Sequence, residues 1–289
     1  MAVHRHLTPF ALACALAAAA VGADPQWQLV GSEKFDEPGA LGEWRLDGSA
    51  EVSVTKDGKL LVATQVSEFR GRRCRASVLW HKHRLEGDVR IEFDAKAEAK
   101  SRCIVFFNAQ PHGGLKSVLD WRRPLAEYRD YATEERLELY SLGILRSDQK
   151  ALNLRHLGSP ESIATQKKRH ATDPKKNPKE WKRLWDLFQE QTVLAEVKSP
   201  FADADKFYHV DIRVIGAEVS VRVDGKLLLD ITDKARTGKP LRGGFLGFRN
   251  FRPTRVWYDN LRIYRRASEA TPADVPGKTP TPRSGNERD

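Results

Sequence analysis

Cysteine is scarce in this sequence, which has three in 289 residues: Cys14, Cys74 and Cys103. None of them stands in a C-x-x-C pair or another metal-ligand spacing, so the sequence gives no indication of a zinc site. Cys14 lies in an N-terminal segment that we expect to be removed. In an oxidising compartment Cys74 and Cys103 can form one disulfide, and the alternative is two separate buried thiols.

The sequence also lacks a segment long enough to span a bilayer. The apolar run from Leu7 to Ala20 is shorter than the roughly 20 residues that a spanning helix needs. A short basic stretch precedes this run and the small residues Val21-Gly22-Ala23 follow it, which is the pattern of a cleaved secretory signal. We therefore expect residues 1–23 to be a signal peptide, the protein to be exported to the periplasm or the cell exterior, and no membrane insertion.

Negative charge is in deficit, because 49 Lys and Arg stand against 39 Asp and Glu, a formal net charge of +10. Such an excess favours anionic partners. An exported protein rarely meets nucleic acid, so an acidic polysaccharide or an anionic cell surface fits the predicted compartment better. We expect a carbohydrate partner, no nucleic acid, and a monomer.

Alternation of apolar and polar residues predicts antiparallel strands through most of the chain. The clearest series runs from His209 to Arg265, where Asp224-Gly225 supplies the two-residue turn of a β-hairpin. Because all-β sandwiches reach about 200 to 250 residues as one unit, we expect a single domain over residues 24–266. The proline-containing segment 267–289 has little apolar content and is predicted to be a disordered tail.

Residues about 159–190 interrupt the strand pattern. Ser159 to Lys182 is predicted to be a basic loop that leads into one short helix. Asn177 is placed to cap this helix and Pro178 suits its first position. Four apolar residues then follow helical spacing and are expected to pack on the domain: Trp181, Leu184, Trp185 and Phe188.

The strand from Ile91 to Glu98 places Glu92, Asp94 and Lys96 on one face. In laminarinase-type glycosidases a strand carries paired carboxylates that act as nucleophile and proton donor. Lysine stands here where that family has its second glutamate. A solvent-facing charged strand is therefore the favoured interpretation.

Residues 108–158 are less regular and rich in polar and aromatic side chains. Long polar insertions on a β scaffold are where binding groups tend to lie. Within this region Tyr140 and Arg155 fall on two predicted strands, which suggests that they face one another across a sheet.

Five short motifs and three tyrosines carry a family resemblance. The motifs are Cys103-Ile-Val-Phe-Phe-Asn-Ala-Gln110, Asn153-Leu-Arg155, Val223-Asp-Gly225, Gly243-Gly-Phe-Leu-Gly-Phe-Arg249 and Tyr258-Asp-Asn-Leu-Arg-Ile-Tyr264, and the tyrosines are Tyr128, Tyr131 and Tyr140. In this order they resemble the concanavalin A-like lectin/glucanase superfamily, and within it a bacterial YesU-like family of unknown function that is often linked to polysaccharide utilisation. The resemblance implies a sandwich of two antiparallel sheets with sugar bound on a concave face.

We therefore expect an all-β fold, a two-sheet antiparallel β-sandwich (jelly-roll, concanavalin A-like) with one short helical insertion. The expected function is that of a secreted protein that binds and processes a polysaccharide or oligosaccharide, with an acidic, uronate-containing glycan as one candidate. A non-catalytic lectin-like protein is the alternative. No cofactor and no metal are expected.

Two enzyme classes remain open. A lyase acting on a uronate needs an arginine to neutralise the carboxylate and a tyrosine or histidine to remove a proton. A hydrolase needs two carboxylates, and the suggestive cluster is Asp120, Glu134, Glu135 and Glu138. The candidate catalytic residues are Tyr140, His156 and Tyr131, and the candidate substrate-binding residues are Arg155, Asn108, Gln110, Tyr128, Asn153 and Arg249.

Overall fold

The computed structural model of the protein describes residues 26–69, 72–98, 101–121, 126, 136–145, 151–204, 206–234, 239–251 and 254–267. The predicted signal peptide, the tail from residue 268 onward, and Tyr128, Tyr131, Glu134 and Glu135 lie outside these ranges.

Strands make up most of the described chain. In chain order they are β1 (Trp27–Glu33), β2 (Trp44–Gly48), β3 (Ala50–Val54), β4 (Leu60–Thr64), β5 (Ser67–Phe69), β6 (Arg72–Cys74), β7 (Ala76–His81), β8 (Val89–Ala97), β9 (Arg102–Pro111), β10 (Leu137–Ile144), β11 (Ala151–Leu157), β12 (Val193–Lys198), β13 (Tyr208–Ile215), β14 (Glu218–Val223), β15 (Lys226–Thr232), β16 (Phe245–Phe251) and β17 (Thr254–Arg266). The helices are α1 (Pro160–Ala171) and α2 (Pro178–Thr192), with short 3-10 helices at Pro38–Glu43 and Val118–Asp120.

The strands form two large antiparallel sheets. One has the order β15-β14-β13-β8-β17-β4-β3, with β1 also paired to β17, and the other has the order β12-β11-β10-β9-β16-β7-β2. Strands β5 and β6 form a separate small hairpin. This architecture confirms the predicted all-β, two-sheet antiparallel sandwich.

The seven-stranded sheet is apolar on both faces. Leu79 belongs to the main core between the two sheets, whereas its neighbours Val78 and Trp80 belong to a second apolar cluster. Successive strand residues point to opposite faces, so this second cluster lies on the outer face. It includes Phe188 of α2 and Val118 of the 3-10 helix, which shows that the helical insertion and the segment after β9 cover that face.

The hairpin predicted at Asp224-Gly225 is confirmed. The turn joins β14 to β15, and both residues have positive φ, 49° for Asp224 and 77° for Gly225. Two positive φ angles are the conformation that a two-residue turn needs to match the twist of its strands.

The helical insertion differs from the prediction in its first half. The expected basic loop contains α1, which Ser159 caps by accepting a hydrogen bond from the Ser162 N–H at 3.2 Å. Asn177 precedes α2 as predicted, but its side chain makes no capping hydrogen bond. The sequence predicted a loop in place of α1 because this lysine-rich helix has only a weak apolar stripe. No helix in the described ranges is long and apolar enough to cross a bilayer.

The aromatic stripe of α2 packs as expected. Leu184 and Phe188 are buried, and the Arg169 guanidinium of α1 lies over the rings of Trp181 and Trp185, at 4.9 and 4.8 Å from their centroids. This arginine therefore joins the two helices instead of standing free in a charged loop.

The charged strand β8 carries Glu92, Asp94 and Lys96 on the face away from the core, as predicted. The side chains on that face contact other residues and are not simply solvated. Glu92 is buried and accepts a hydrogen bond from Tyr264 at 3.0 Å, and the Lys96 ammonium lies 4.8 Å from the centroid of Trp257.

Cys103 is a free, buried thiol. Its Sγ lies 2.8 Å from Tyr258 Oη, and burial raises the pKa of the thiol to about 12. The structure therefore contains no disulfide at Cys103. The side chain of Cys74 lies outside the described part of the chain.

Candidate active site

Tyr140 and His156, two of the predicted catalytic residues, are direct neighbours across β10 and β11. Their ring centroids are 5.2 Å apart in an edge-on arrangement. The Tyr140 ring also packs 5.3 Å from Phe107 of β9. Both side chains are buried, and Tyr140 belongs to the core between the sheets.

His156 is the centre of a line of hydrogen bonds and ion-pair contacts that we call the relay, formed by Asp233, His156, Glu138 and His112. His156 Nδ1 lies 3.0 Å from Asp233 Oδ2, and His156 Nε2 lies 2.8 Å from Glu138 Oε1. The second oxygen of Glu138 lies 3.1 Å from His112 Nε2. The exposed fraction of the side chain rises along the line from 0% at Asp233 and 1% at His156 to 13% at Glu138 and 47% at His112. The relay therefore connects a fully buried carboxylate to a histidine at the surface.

The charges of the relay are set by these contacts. Burial by itself lowers the pKa of His156, but the hydrogen bonds and charges of Asp233 and Glu138 outweigh it and raise the pKa to about 9. His156 is therefore an imidazolium at neutral pH and donates to both carboxylates. Burial, with a smaller contribution from Asp233, raises the pKa of Tyr140 well above its usual value. A tyrosine in that state is a hydrogen-bond donor and a poor base.

Three residues stabilise the buried end of the relay: Tyr140, Asn108 and Leu241. Tyr140 Oη donates to Asp233 Oδ2 at 2.8 Å and accepts from the Leu241 N–H at 3.1 Å. The buried Asn108 donates from Nδ2 to the Leu241 carbonyl at 2.9 Å. Gln110, which pairs with Glu138 across β9 and β10, donates to the Arg242 carbonyl at 3.1 Å. Four of the predicted site residues, Tyr140, His156, Asn108 and Gln110, are thus brought together at the relay.

At its exposed end the relay can transfer a proton. A carboxylate that holds one nitrogen of an imidazole fixes its tautomer and orientation and makes the other nitrogen the proton acceptor. His112 Nε2 lies 3.1 Å from Glu138 Oε2, which leaves Nδ1 as the ring nitrogen turned away from the carboxylate. An imidazole beside a carboxylate at the surface is an arrangement that can accept and return a proton.

Arg155 and Asn153 lie away from the relay. Arg155 donates to Gln189 Oε1 at 2.6 Å and to Thr192 Oγ1 at 3.1 Å, both on α2. Arg155 faces Ser141 in the register of β10 and β11, and Tyr140 faces His156. The expectation that Tyr140 and Arg155 face one another is therefore wrong, because neighbouring strand residues point to opposite sides. Asn153 is buried and pairs with Glu196 of β12.

Arg249 lies on the outer face of the seven-stranded sheet, where it is buried. It donates to the Ala126 carbonyl at 3.4 Å, and its guanidinium lies 5.3 Å from the Phe251 ring centroid. The same face carries Trp80, which donates from Nε1 to Asp47 at 3.1 Å. Tyr140, Arg155 and Arg249 thus do not line one groove. The assignments of Tyr128 and Tyr131 fall outside the described residues, and the ligand roles of Arg155, Asn153 and Arg249 stay predictions.

The sequence reasoning missed Asp233 and did not assign His112 a role. Glu138 was named only as a hydrolase carboxylate, although its spacing from Tyr140 already put both on one strand. Asp120, of the same cluster, closes a capping box instead: its Oδ2 accepts from the Ser117 N–H at 2.9 Å. For Asp233 no signal existed, because its partners are 77 and 93 residues away along the chain.

Comparison with solved structures gives the same fold. A protein of unknown function with a galectin-like fold from Bacillus subtilis is 17% identical, with a TM-score of 0.62 over 83% of this chain and 100% of that one. The laminarinase from Rhodothermus marinus is 13% identical, with a TM-score of 0.53 over 83% of this chain and 98% of that one. The catalytic domain of an endo-1,3-β-glucanase from Thermotoga petrophila is 14% identical, with a TM-score of 0.53 over the same shares. At these identities the likeness concerns the fold alone.

A search of curated protein sequences finds no significant match. A family model, by contrast, matches residues 32–264, which is most of the chain and contains all four relay residues. The narrower YesU-like resemblance stays a prediction. The match is to a carbohydrate-active family, and the chain belongs to the 3-keto-alpha-glucoside-1,2-lyase-like domain family.

Proposed function

We propose that this protein is a carbohydrate lyase that eliminates across C1 and C2 of a 3-keto-α-glucoside, with the exposed end of the relay as its acid–base group. The observation that carries the proposal is the unbroken line of alternating carboxylates and imidazoles from buried Asp233 to exposed His112. Membership of the lyase-like family supplies the substrate class.

The reaction needs one proton acceptor and no oxidant. A carbonyl at C3 acidifies the hydrogen on C2, so a base of moderate strength can remove it. The electron pair of the C2–H bond then forms the C1–C2 double bond while the bond from C1 to the glycosidic oxygen breaks. The departing oxygen takes a proton, and the products are an unsaturated keto sugar and a free alcohol. The ketone itself must come from a preceding oxidation of the glycoside at C3.

His112 suits the proton-transfer role. Its Nδ1 takes the C2 proton and returns it to the leaving oxygen, while Glu138 holds the ring and stabilises the imidazolium that forms. His156 holds Glu138 through Nε2, and Asp233 and Tyr140 keep His156 in place. These three buried residues are positioning residues, because they do not reach the surface.

A uronate substrate and export of the protein are also proposed. Uronate-containing glycans remain an alternative substrate, since the excess of Lys and Arg favours an anionic partner. Export also remains proposed, on the strength of the N-terminal signal pattern. A purely lectin-like role would require only binding, and the relay, with a histidine beside a carboxylate at the surface, favours catalysis.

The direct test is cleavage of p-nitrophenyl 3-keto-α-D-glucoside, which is measured by the release of p-nitrophenol. His112→Gln is expected to lower kcat/KM by about 10²- to 10⁴-fold, the usual contribution of a general acid–base group. His209→Gln is the matched control, because His209 is also partly exposed and pairs with a carboxylate, Asp94, at 2.7 Å, but on the eight-stranded sheet. It should leave kcat/KM unchanged.

Two results would contradict the proposal. One is an equal loss of activity in His112→Gln and His209→Gln, or no loss of activity in either variant. The other is equally fast cleavage of p-nitrophenyl α-D-glucoside, which lacks the ketone and cannot undergo this elimination.

A further inference from the structure

Arg136 lies opposite His112 at the end of the pairing between β9 and β10. It directly precedes β10, and its carbonyl accepts a hydrogen bond from the His112 N–H at 2.7 Å. This bond continues by one residue the register that pairs Pro111 with Leu137. Residues opposite one another on antiparallel strands have Cβ atoms about 4.5 to 5.5 Å apart. The side chains of His112 and Arg136 therefore start as close neighbours.

Arg136 also falls on the relay side of the sheet. Leu137 belongs to the apolar cluster on the outer face, whereas Glu138 contacts His156 and His112 on the opposite face. Because side chains alternate along a strand, Arg136 has the same orientation as Glu138. A cation thus lies beside the histidine and the carboxylate that form the exposed end of the relay.

The Arg136 guanidinium is accessible and holds no anion within the described part of the chain. The residue is exposed, and among the described residues its guanidinium takes part in no ion pair or hydrogen bond. It lies 5.9 Å from the centroid of the Trp121 ring, near the 6 Å limit of a cation–π contact. This contact leaves the guanidinium N–H groups able to donate to an oxygen acceptor of a ligand.

The elimination proposed above needs such a donor at one atom of the substrate. As the proton leaves C2, negative charge develops on the oxygen of the C3 ketone. The charge is lost again when the C1–C2 double bond forms and the bond from C1 to the glycosidic oxygen breaks. A cation or donor fixed at a developing enolate lowers the barrier. The carboxyl group of Glu138 cannot supply positive charge there.

The amide of Gln110, the cross-strand neighbour of Glu138, is engaged elsewhere. Its Nε2 donates to the carbonyls of Arg242 and Gly243, at 3.1 and 3.4 Å. Among the described side chains on this face at the end of β9 and β10, Arg136 is therefore the one that combines positive charge with open donors.

We propose that Arg136 is a further catalytic residue, which donates hydrogen bonds to the C3 oxygen of the 3-keto-α-glucoside and stabilises the negative charge that develops there. The inference rests on the proposed lyase function and assigns a role that the relay does not perform. The C2 proton passes to the His112 ring and then to the departing oxygen. Arg136 keeps its own protons throughout, because a guanidinium does not deprotonate in proteins.

Arg136→Ala removes the guanidinium and keeps the carbonyl that holds the His112 backbone. Arg242→Ala is the matched control. Arg242 is also exposed, and its carbonyl accepts from Gln110, but its guanidinium lies 3.8 Å from Asp88. Each variant lowers the net charge by one, so a long-range effect of charge on substrate binding is common to both.

The test is the kinetics of p-nitrophenyl 3-keto-α-D-glucoside cleavage by the whole native protein, His112→Gln and these variants. Arg136→Ala is expected to lower kcat by about 10²- to 10³-fold, the usual cost of removing one such donor, with a much smaller change in KM. Methylguanidinium added to the assay should restore part of the lost kcat. Arg136→Lys, which keeps the charge without the fork, should lose less. Arg242→Ala should keep the native kcat and show no response to methylguanidinium.

Two results overturn this inference while the lyase function stands. One is native kcat in Arg136→Ala when His112→Gln has lost activity. The other is a loss of kcat in Arg136→Ala that methylguanidinium does not reduce, which would make Arg136 a structural residue. If the native protein does not cleave the keto-glucoside, the proposed function itself fails, and the role of Arg136 fails with it.

Discussion

His156 and His81 lie on strands of the same sheet, are almost equally buried, and have pKa values displaced in opposite directions. The pKa of His156 rises to about 9 although burial opposes its charge, because Asp233 and Glu138 contact both ring nitrogens. Burial lowers the pKa of His81, and the hydrogen bond to the His83 backbone and the charge of Glu43 only partly offset it. Burial alone therefore does not decide the charge of a histidine, and its partners do.

The contrast assigns different chemistry to the two regions. A histidine that is charged at neutral pH and held on both sides can order neighbouring carboxylates but cannot accept a further proton there. A buried histidine with a lowered pKa, such as His81, carries no such charge at neutral pH. We therefore place proton transfer at the exposed end of the relay.

The largest expected effect is on stability at His156. His156→Gln removes the cation between two carboxylates and leaves Asp233 as a buried charge, so the free energy of unfolding should fall by about 3 to 5 kcal/mol. Urea denaturation at pH 7 measures it. His81→Gln is the comparison variant, and it should cost about 1 to 2 kcal/mol, because no carboxylate depends on that ring. An equal loss of unfolding free energy in the two variants would show that the carboxylates around His156 do not make it the more important of the two histidines for stability.

The pH dependence of stability should separate the two histidines. Histidine in the unfolded chain titrates near pH 6.5, so between about 6.5 and 9 the folded protein holds a proton at His156 that the unfolded chain has lost. The free energy of unfolding should therefore fall by about 3 kcal/mol as the pH rises through this window. For His81 the sign is reversed, and stability should be lost as the pH falls below 6.5.

Denaturation curves from pH 5 to 9.5 test both signs. In His156→Gln the alkaline decline should shrink, and in His81→Gln the acid decline should shrink. An alkaline decline that is the same in the native protein and His156→Gln would show that other groups cause it.

Tyr140→Phe gives a smaller effect and sharpens the role of the buried end of the relay. The substitution removes the donor to Asp233 and the acceptor of the Leu241 N–H, which should cost about 1 to 2 kcal/mol of stability. Turnover of the keto-glucoside should change little, because Tyr140 is buried and its pKa is raised. A loss of about 10²-fold or more in kcat, with the melting temperature unchanged, would instead support the prediction that Tyr140 is a catalytic base.

Arg155→Lys has the smallest expected effect. Lysine cannot reproduce the fork that reaches Gln189 and Thr192, so α2 should be held less firmly, by about 1 kcal/mol. The melting temperature should fall slightly while KM for the keto-glucoside stays the same. The competing prediction, that Arg155 binds an acidic glycan, requires weaker glycan binding with an unchanged melting temperature.

Local patterns in the sequence were sufficient for the sandwich. Period-2 alternation and turn chemistry are short-range signals, and the hairpin at Asp224-Gly225 formed where they predicted. The first helix of the insertion escaped because α1 is rich in lysine and buries few apolar residues. Its cap at Ser159 and the proline after it were the available signals.

The candidate site was only partly predictable. Tyr140 and His156 were found because they lie in a region dense in polar and aromatic residues. Strand direction could not be read there, so Arg155 was placed beside Tyr140 when its side chain points to the other face. Asp233 could not be found at all, since it joins the relay across the fold.

The charge states of His156 and His81 are tested most directly by an NMR titration of their imidazole nitrogens in one sample. We predict that both nitrogens of His156 stay protonated at neutral pH and that the ring titrates near pH 9, whereas His81 stays neutral until the pH falls below 6.5. If both rings titrate together near pH 6.5, Asp233 and Glu138 do not hold His156 charged, and the proposed relay is wrong.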